Sequence, residues 1–357
     1  MENRRVRQRI RWAAVFIAAG VFLLPFFLFP LDPGKKTSQY IMDSWGFQQG
    51  LPQNSVNSIA QTPDGYLWLG TEEGLVRFDG KQFTVFTKTN TEQLPDNMIN
   101  VLHTDRAGNL WIGTYGGGIV RKTGGTFTRY PDKDDFGLSR SRVWCIHEDR
   151  RGNLWVGTDT RGVYRLKDGN VTSLTVNEGL SCNQVWCFHE DRRGTLWIGT
   201  TEGLNRLENG KITVYTTGEG LSGNLVWCLL EDHLGDMWIG TGDGGLNRMK
   251  DGKFIAYTTK DGLTSDRIKT LYEDRDKNLW IGTYKGLNRL RDGKFSGFEF
   301  HRDISPPWIL SIYEDREGNL WMGTKVLGIF RLRDGKFTPF TSAEGLNDDR
   351  VRAVYED

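Results

Sequence analysis

The chain has 357 residues, with 46 Lys plus Arg against 45 Asp plus Glu and a formal net charge of +1. Five of the arginines (Arg4, Arg5, Arg7, Arg9 and Arg11) sit beside a single acid, Glu2, and without these the remainder carries 41 basic against 44 acidic residues, about −3. With no basic stripe along that remainder a nucleic-acid surface is excluded, and four cysteines in a chain this long exclude a disulfide-stapled scaffold.

Residues 1–11 form the basic N-terminus. From Trp12 to Leu31 the sequence WAAVFIAAGVFLLPFFLFPL carries no charge. Twenty apolar residues in a helix span about 30 Å, the thickness of a bilayer core. The preceding arginines predict a cytoplasmic N-terminus and export of all that follows, by the positive-inside rule. The flank after the apolar run lacks a small-x-small cleavage site, so an uncleaved anchor in the cytoplasmic membrane is expected over a removed signal peptide. Residues 32–38 read as a polar linker.

Residues 39–335 are organised by a repeated stretch, Leu-Trp-Ile-Gly-Thr with small variations. Its tryptophans are Trp68, Trp111, Trp155, Trp197, Trp238, Trp280 and Trp321, spaced 43, 44, 42, 41, 42 and 41 residues apart. A period of roughly 40–45 residues with several short strands per unit marks a β-propeller blade. The expected fold is a seven-bladed β-propeller of four-stranded antiparallel blades, each Trp buried between neighbours.

One unit, Val185–Thr217, shows the grammar. Val185–Glu190 reads as a first strand, Thr195–Thr200 as a second carrying the Trp, Leu204–Leu207 as a third and Lys211–Thr216 as a fourth. A Gly-bearing turn (Gly194) joins the first two, and Asn209-Gly210 gives a tight hairpin between the last two. Only the sixth repeat departs at the first turn, with Lys277 in place of Gly. These turns form a uniform rim. The other rim is variable, and function in repeat scaffolds usually sits there. Tyr40–Ser44 reads as a fourth-type strand preceding the first full unit, and is expected to close the ring on the blade built from Ile309–Leu332, removing an open sheet edge. Residues 336–357 then begin a further repeat, within which the chain stops, so a fragment or a truncated gene is expected.

Three regularities could be mistaken for sites. An arginine recurs in every third strand (Arg77, Arg121, Arg165, Arg206, Arg248, Arg289 and Arg331). Seven copies predict one structural clamp per blade, to an acid or a turn carbonyl, and no anion site. Cys145, Cys187 and Cys228 share one position with Ser58, Val101, Thr270 and Ser311, which predicts small residues packed between blades. His103, His147 and His189 share another with Ala60, Leu230, Tyr272 and Tyr313, and on separate blades they predict no metal. No P-loop, dinucleotide fingerprint, nucleophile elbow or His-Glu-x-x-His is present, so no cofactor is expected.

Units of the form Gly-Leu-Ser-x-Asn-x-Val, Glu-Asp-Arg-x-Gly-Asn-Leu-Trp-Ile-Gly-Thr, Gly-Leu-Asn-Arg-Leu and Asp-Gly-Lys-Phe resemble the two-component regulator propeller repeat from Tyr40 to the end. The resemblance implies a periplasmic sensor in a membrane-bound protein, with a C-terminal histidine kinase or diguanylate cyclase and a homodimeric intact form. It implies that this chain is itself no enzyme. The competing expectation is an exported glycan-active enzyme, since the turn is similar to the Asp-box of sialidases. Against it, the Asp lies one residue too far from the Trp and no arginine triad is identifiable.

The second residue of each first strand is Asn57, Asn100, Trp144, Trp186, Trp227, Lys269 and Leu310 around the ring. A position that accepts Asn and Lys faces solvent at the channel mouth. Three tryptophans there either form an aromatic wall for a small molecule or an oligosaccharide, or pack between blades as large aromatics usually do. Tyr115, Tyr284, Trp308, Arg142, Arg267 and Asp243 lie on loops of the same rim and complete the candidate site.

Overall fold

The computed structural model describes residues 31, 40–130, 137–298, 300 and 304–334. The expected anchor (apart from its last residue), the linker and the expected further repeat lie outside these residues, as does Tyr40's immediate approach. No helix among the described residues is long and apolar enough to cross a membrane.

The chain enters on β1 (Ile41–Trp45) and then builds one sheet at a time. Blade 1 is β2 (Val56–Gln61), β3 (Leu67–Thr71), β4 (Gly74–Phe78) and β5 (Phe83–Phe86). Blade 2 is β6 (Ile99–Thr104), β7 (Leu110–Thr114), β8 (Ile119–Thr123) and β9 (Thr126–Tyr130). Blade 3 is β10 (Val143–Glu148), β11 (Leu154–Thr158), β12 (Val163–Lys167) and β13 (Asn170–Leu174). Blade 4 is β14 (Val185–Glu190), β15 (Leu196–Thr200), β16 (Gly203–Glu208) and β17 (Lys211–Tyr215). Blade 5 is β18 (Val226–Glu231), β19 (Met237–Thr241), β20 (Leu246–Lys250) and β21 (Lys253–Tyr257). Blade 6 is β22 (Ile268–Glu273), β23 (Leu279–Thr283), β24 (Gly286–Arg291) and β25 (Lys294–Gly297). Blade 7 is β26 (Ile309–Glu314), β27 (Leu320–Thr324) and β28 (Ile329–Arg333), completed by β1.

β1 pairs antiparallel with β28, from Ile41 opposite Arg333 to Trp45 opposite Ile329. The closing strand thus runs one residue later than Tyr40–Ser44. Tyr40 instead takes a hydrogen bond from Arg289 of blade 6 at 3.1 Å through its hydroxyl. The inner strands pack in sequence around the ring, and β26 packs against β2. Across that seam Arg316 donates its backbone N–H to Gln61 Oε1 at 3.0 Å and Nη1 to the Pro63 carbonyl at 2.9 Å. The seven-bladed ring is therefore closed, with the first and last segments of the propeller sharing a sheet.

Each residue of the signature has its own task. The apolar residues flanking each Trp (Leu or Met before it; Ile, Leu, Val or Met after it) are buried. The Trp fills the space between blades and is 0–7% exposed in all seven copies. Its indole Nε1–H donates to the turn Asp: Trp111 to Asp105, Trp155 to Asp149, Trp197 to Asp191, Trp238 to Asp232, Trp280 to Asp274 and Trp321 to Asp315, at 2.6–2.9 Å. In blade 1 Thr62 Oγ1 takes that place for Trp68, at 2.9 Å. The Gly allows the next blade to approach. A Cβ on Gly199 would lie 2.4 Å from Cys187 Sγ and 2.7 Å from Val226 Cγ1 of blade 5. The Thr is fully buried and its hydroxyl donates to the carbonyl of the second-to-third-strand loop, as Thr200 does to Gly203 at 3.0 Å.

The arginine clamp differs from the expectation. The strand-three arginine stands opposite the signature Trp in the ladder and lays its guanidinium over that ring at 5.4–5.9 Å in six blades, a cation–π contact. Arg206, Arg248 and Arg331 also pair with an acid, namely Glu208, Asp236 and Asp43; Arg77 instead lies over Tyr66 at 4.4 Å. The clamp between blades comes from the turn. The Arg106, Arg150 and Arg192 backbone N–H groups each donate to the Glu ending the next blade's inner strand, at 2.8 Å. The Glu-Asp pairs thus divide their labour: Glu binds the preceding blade, Asp its own Trp.

Candidate ligand-binding site

The first-to-second-strand ladder carries a register shift at the same place in every blade, between the first and third residues of the inner strand. A bulge adds one unpaired residue and re-aims its side chain. The extra residue is the second one, and all seven (Asn57, Asn100, Trp144, Trp186, Trp227, Lys269 and Leu310) line one cavity at the variable-rim mouth of the channel, of about 510 Å³.

One wall of the mouth is aromatic. Trp144 and Trp186 have centroids 4.7 Å apart, and Trp186 meets Trp227 edge-on at 6.5 Å. Trp227 stacks on Tyr284 at 5.3 Å, and Tyr284 on Trp308 at 4.3 Å. At the other end Tyr115 meets Trp144 edge-on at 6.4 Å. The six rings form a continuous belt across blades 2 to 7. Trp227 is 9% exposed and Trp308 44%, so the belt runs from a buried middle to an open lip. The Trp186 indole donates to Thr201 Oγ1 at 3.1 Å, whereas the Trp144 and Trp227 indole N–H groups are buried with no partner among the described residues.

The flanking loops hold the belt. Arg142 lies 3.7 Å over the Tyr115 ring and pairs with Asp159 at 3.4 Å. Arg267 lies 4.5 Å over Tyr284 and donates to the Gly242 carbonyl at 3.2 Å. Both arginines buttress belt rings. Asp243 sits exposed on the loop after β19, outside the cavity lining.

The opposite wall is polar and comes from blades 7, 1 and 2. Glu72 pairs with Lys325 across the ring seam and also takes the Ser55 hydroxyl at 3.2 Å. Asn57 and Asn100 line the same wall and donate their amides to the Ile99 and Val143 carbonyls of the next blades, at 3.0 and 2.9 Å. The cavity is thus amphipathic, a flat aromatic surface facing amide, hydroxyl and charged groups. That is the composition of a small-molecule site. Sequence reasoning reached the aromatic wall but not Glu72 and Lys325, whose meeting depends on the ring closing. No local pattern encodes it.

The other recurring positions lie below the mouth. Cys145, Cys187 and Cys228 are buried between blades, each thiol directed at the next blade's carbonyl at 3.8–4.0 Å. Burial pushes all three thiols up, Cys228 to about 12. His103 and His147 have ring centroids 6.3 Å apart. Burial lowers all three histidines, His103 and His189 to about 4. His189 Nε2 accepts the Glu231 N–H at 3.2 Å, a contact to the next blade.

Comparison with known proteins agrees with this architecture. The profile of the two component regulator propeller matches residues 50–73, 93–116, 137–160, 179–202, 220–243, 262–285 and 303–325, one match per blade. The extracellular domain of the BT3049 hybrid two component system from B. thetaiotaomicron superposes with a TM-score of 0.73 and 28% identity, over 83% of this chain and 42% of that one. Virginiamycin B lyase from Staphylococcus aureus shares the fold, with a TM-score of 0.65 and 16% identity over 82% of this chain and 99% of its own. Histidine kinase P4 of Formosa agariphila is 37% identical over 68 residues, 19% of this chain and 5% of the kinase. The chain therefore spans less than half of that extracellular domain and a twentieth of the kinase. With one family match in each of seven blades, the chain belongs to the two component regulator propeller family.

Proposed function

We propose that the chain is the extracytoplasmic sensing module of a membrane-bound signal-transduction protein, and that it reads a small molecule or oligosaccharide at the channel mouth. The observation that carries this is the aromatic belt facing a polar wall in a single cavity. Flat rings stack on the apolar face of a sugar, and amides and charges opposite them meet its hydroxyls. The family and the resemblance to the extracellular part of a hybrid two component system support the sensing role. In this reading residues 12–31 anchor the chain in the cytoplasmic membrane with the propeller in the periplasm. The intact protein is a homodimer and carries a histidine kinase or a diguanylate cyclase beyond these residues.

The test is a titration of the purified chain with a panel of neutral oligosaccharides, read by tryptophan fluorescence and calorimetry. It is repeated on the variant Trp144→Asn, Trp186→Asn, Trp227→Asn, which copies the residue type of blades 1 and 2. Binding that is lost in the folded variant supports the reading. Equal binding by both proteins, or turnover of a glycoside at this mouth, overturns it.

A further inference from the structure

Lys269 is the second residue of β22 and stands beside the three tryptophans in the cavity lining. Its Nζ lies 5.2 Å from the Trp186 ring centroid and 5.5 Å from that of Trp227. Among the described residues no carboxylate lies within ion-pair distance of it. The other two charges of the lining, Glu72 and Lys325, neutralise each other. Cys145, Cys187 and Cys228 are its other neighbours, but burial keeps their thiols protonated and so they supply no negative charge. Arg142 pairs with Asp159, and Arg267 is exposed on the rim with its Nε on the Gly242 carbonyl; neither lines the cavity. The cavity therefore holds one uncompensated positive charge against an aromatic surface.

Taking an ammonium out of water without a counter-charge is costly, and indole faces offset only part of that cost. Burial accordingly pulls the Lys269 ammonium below its usual value. A carboxylate brought in by a ligand would restore the missing partner, through a charge-assisted hydrogen bond to the half-buried ammonium. We propose that the channel mouth recognises a ring-bearing carboxylate, with the ring laid on the Trp186 and Trp227 side of the belt and the carboxylate on Lys269. This rests on the reading of the mouth as the ligand site and names the ligand's charge. The shared chemistry admits a uronic acid unit of an oligosaccharide or an aryl carboxylate.

Methyl esterification separates charge from shape. Calorimetric titrations of the purified chain with digalacturonate and its methyl ester, and with 4-hydroxybenzoate and its methyl ester, test both sources. In at least one pair the acid binds about tenfold or more tighter than the ester, the worth of one charged hydrogen bond. The pair that responds identifies the source. In Lys269→Met the acid falls to the ester's affinity while the ester is unchanged. Removing the unpaired charge also raises the melting temperature of the ligand-free protein. Lys269→Asn, the residue type of blades 1 and 2, is the second variant should Lys269→Met misfold. Equal affinities in both pairs, a preference that survives the Lys269 variants, or no binding by any of the four compounds overturns the inference. Neutral oligosaccharide binding that depends on the three tryptophans would then still leave the sensing role standing.

Discussion

Asp274 offers the sharpest test of what holds a blade together. It sits in the turn between β22 and β23 and is 5% exposed. Its Oδ1 accepts the backbone N–H groups of Asp276 and Asn278 at 3.0 and 2.9 Å. Its Oδ2 accepts Asn278 Nδ2 at 2.8 Å and Trp280 Nε1 at 2.7 Å. Trp280 and Asn278 are fully buried, so water cannot replace the lost acceptor at the indole or the amide. Hydrogen bonds to a charged group contribute about 1.5–3 kcal/mol each, and a stranded buried donor costs about 1–3 kcal/mol. Two donors are stranded and the contributions overlap, so Asp274→Ala is expected to destabilise by about 3–5 kcal/mol. Asp274→Thr, copying Thr62, which serves Trp68 in blade 1, restores the indole acceptor and is expected to recover about 1 kcal/mol of that loss. The assay is urea denaturation followed by far-ultraviolet dichroism, comparing midpoints at constant slope. A loss below about 1 kcal/mol for Asp274→Ala would refute the reasoning, because it would mean that the turn carboxylate is dispensable to its blade.

Further outcomes follow from the same geometry. Lys277 holds φ +66° where other blades carry Gly in this turn. Lys277→Gly should therefore stabilise by up to about 1 kcal/mol in the same urea assay, as relief of left-handed strain outweighs added chain freedom. Gly199→Val should destabilise by at least about 3 kcal/mol, since even a Cβ would overlap Cys187 Sγ and Val226 of the next blade; soluble, fully cooperative Gly199→Val protein with an unchanged midpoint would contradict the packing. His103 and His189 have folded-state values depressed to about 4 by burial, from an ordinary 6.5. The stability that such groups contribute is full above pH 6.5 and is lost as pH falls toward 4. His103→Leu, the residue type of Leu230 at this position, should flatten that slope in denaturation curves taken across this interval. It should cost little at pH 7, because His103 Nε2 has no partner among the described residues.

The fold was legible because the signature recurs at nearly constant spacing, and each of its residues answers to one packing need. The strands of blade 4 fall within a residue of their expected ends for the same reason: Gly194 and Asn209-Gly210 fix the turns. The site was half legible. Asn57, Asn100 and Lys269 at one repeat position suggested solvent and drew attention to Trp144, Trp186 and Trp227, although the structure leaves none of the seven residues there fully exposed and buries Asn100 and Trp227. The bulge that turns these residues into the mouth leaves no mark in residue type, since the flanking Val185 and Cys187 read as ordinary strand. The indole bond to Asp was also missed, because the Asp lies six residues before its Trp and only the turn geometry brings them together. The recurring strand-three arginine was expected to clamp an acid or a turn carbonyl; three do meet an acid, but in six blades the guanidinium lies on the Trp ring. Lys269 was read as a sign of exposure, whereas its significance comes from three neighbouring blades that offer it no anion.

Hydrogen exchange on the purified chain, with and without an oligosaccharide or carboxylate that calorimetry shows to bind, tests the central claim most directly. The account predicts added protection in the starts of β10, β14, β18 and β22 and in the loops that carry Tyr284 and Trp308. It predicts none in the uniform turns at Gly152, Gly194 and Gly235 on the far rim. Protection concentrated on those turns, with the belt segments unchanged, would contradict it.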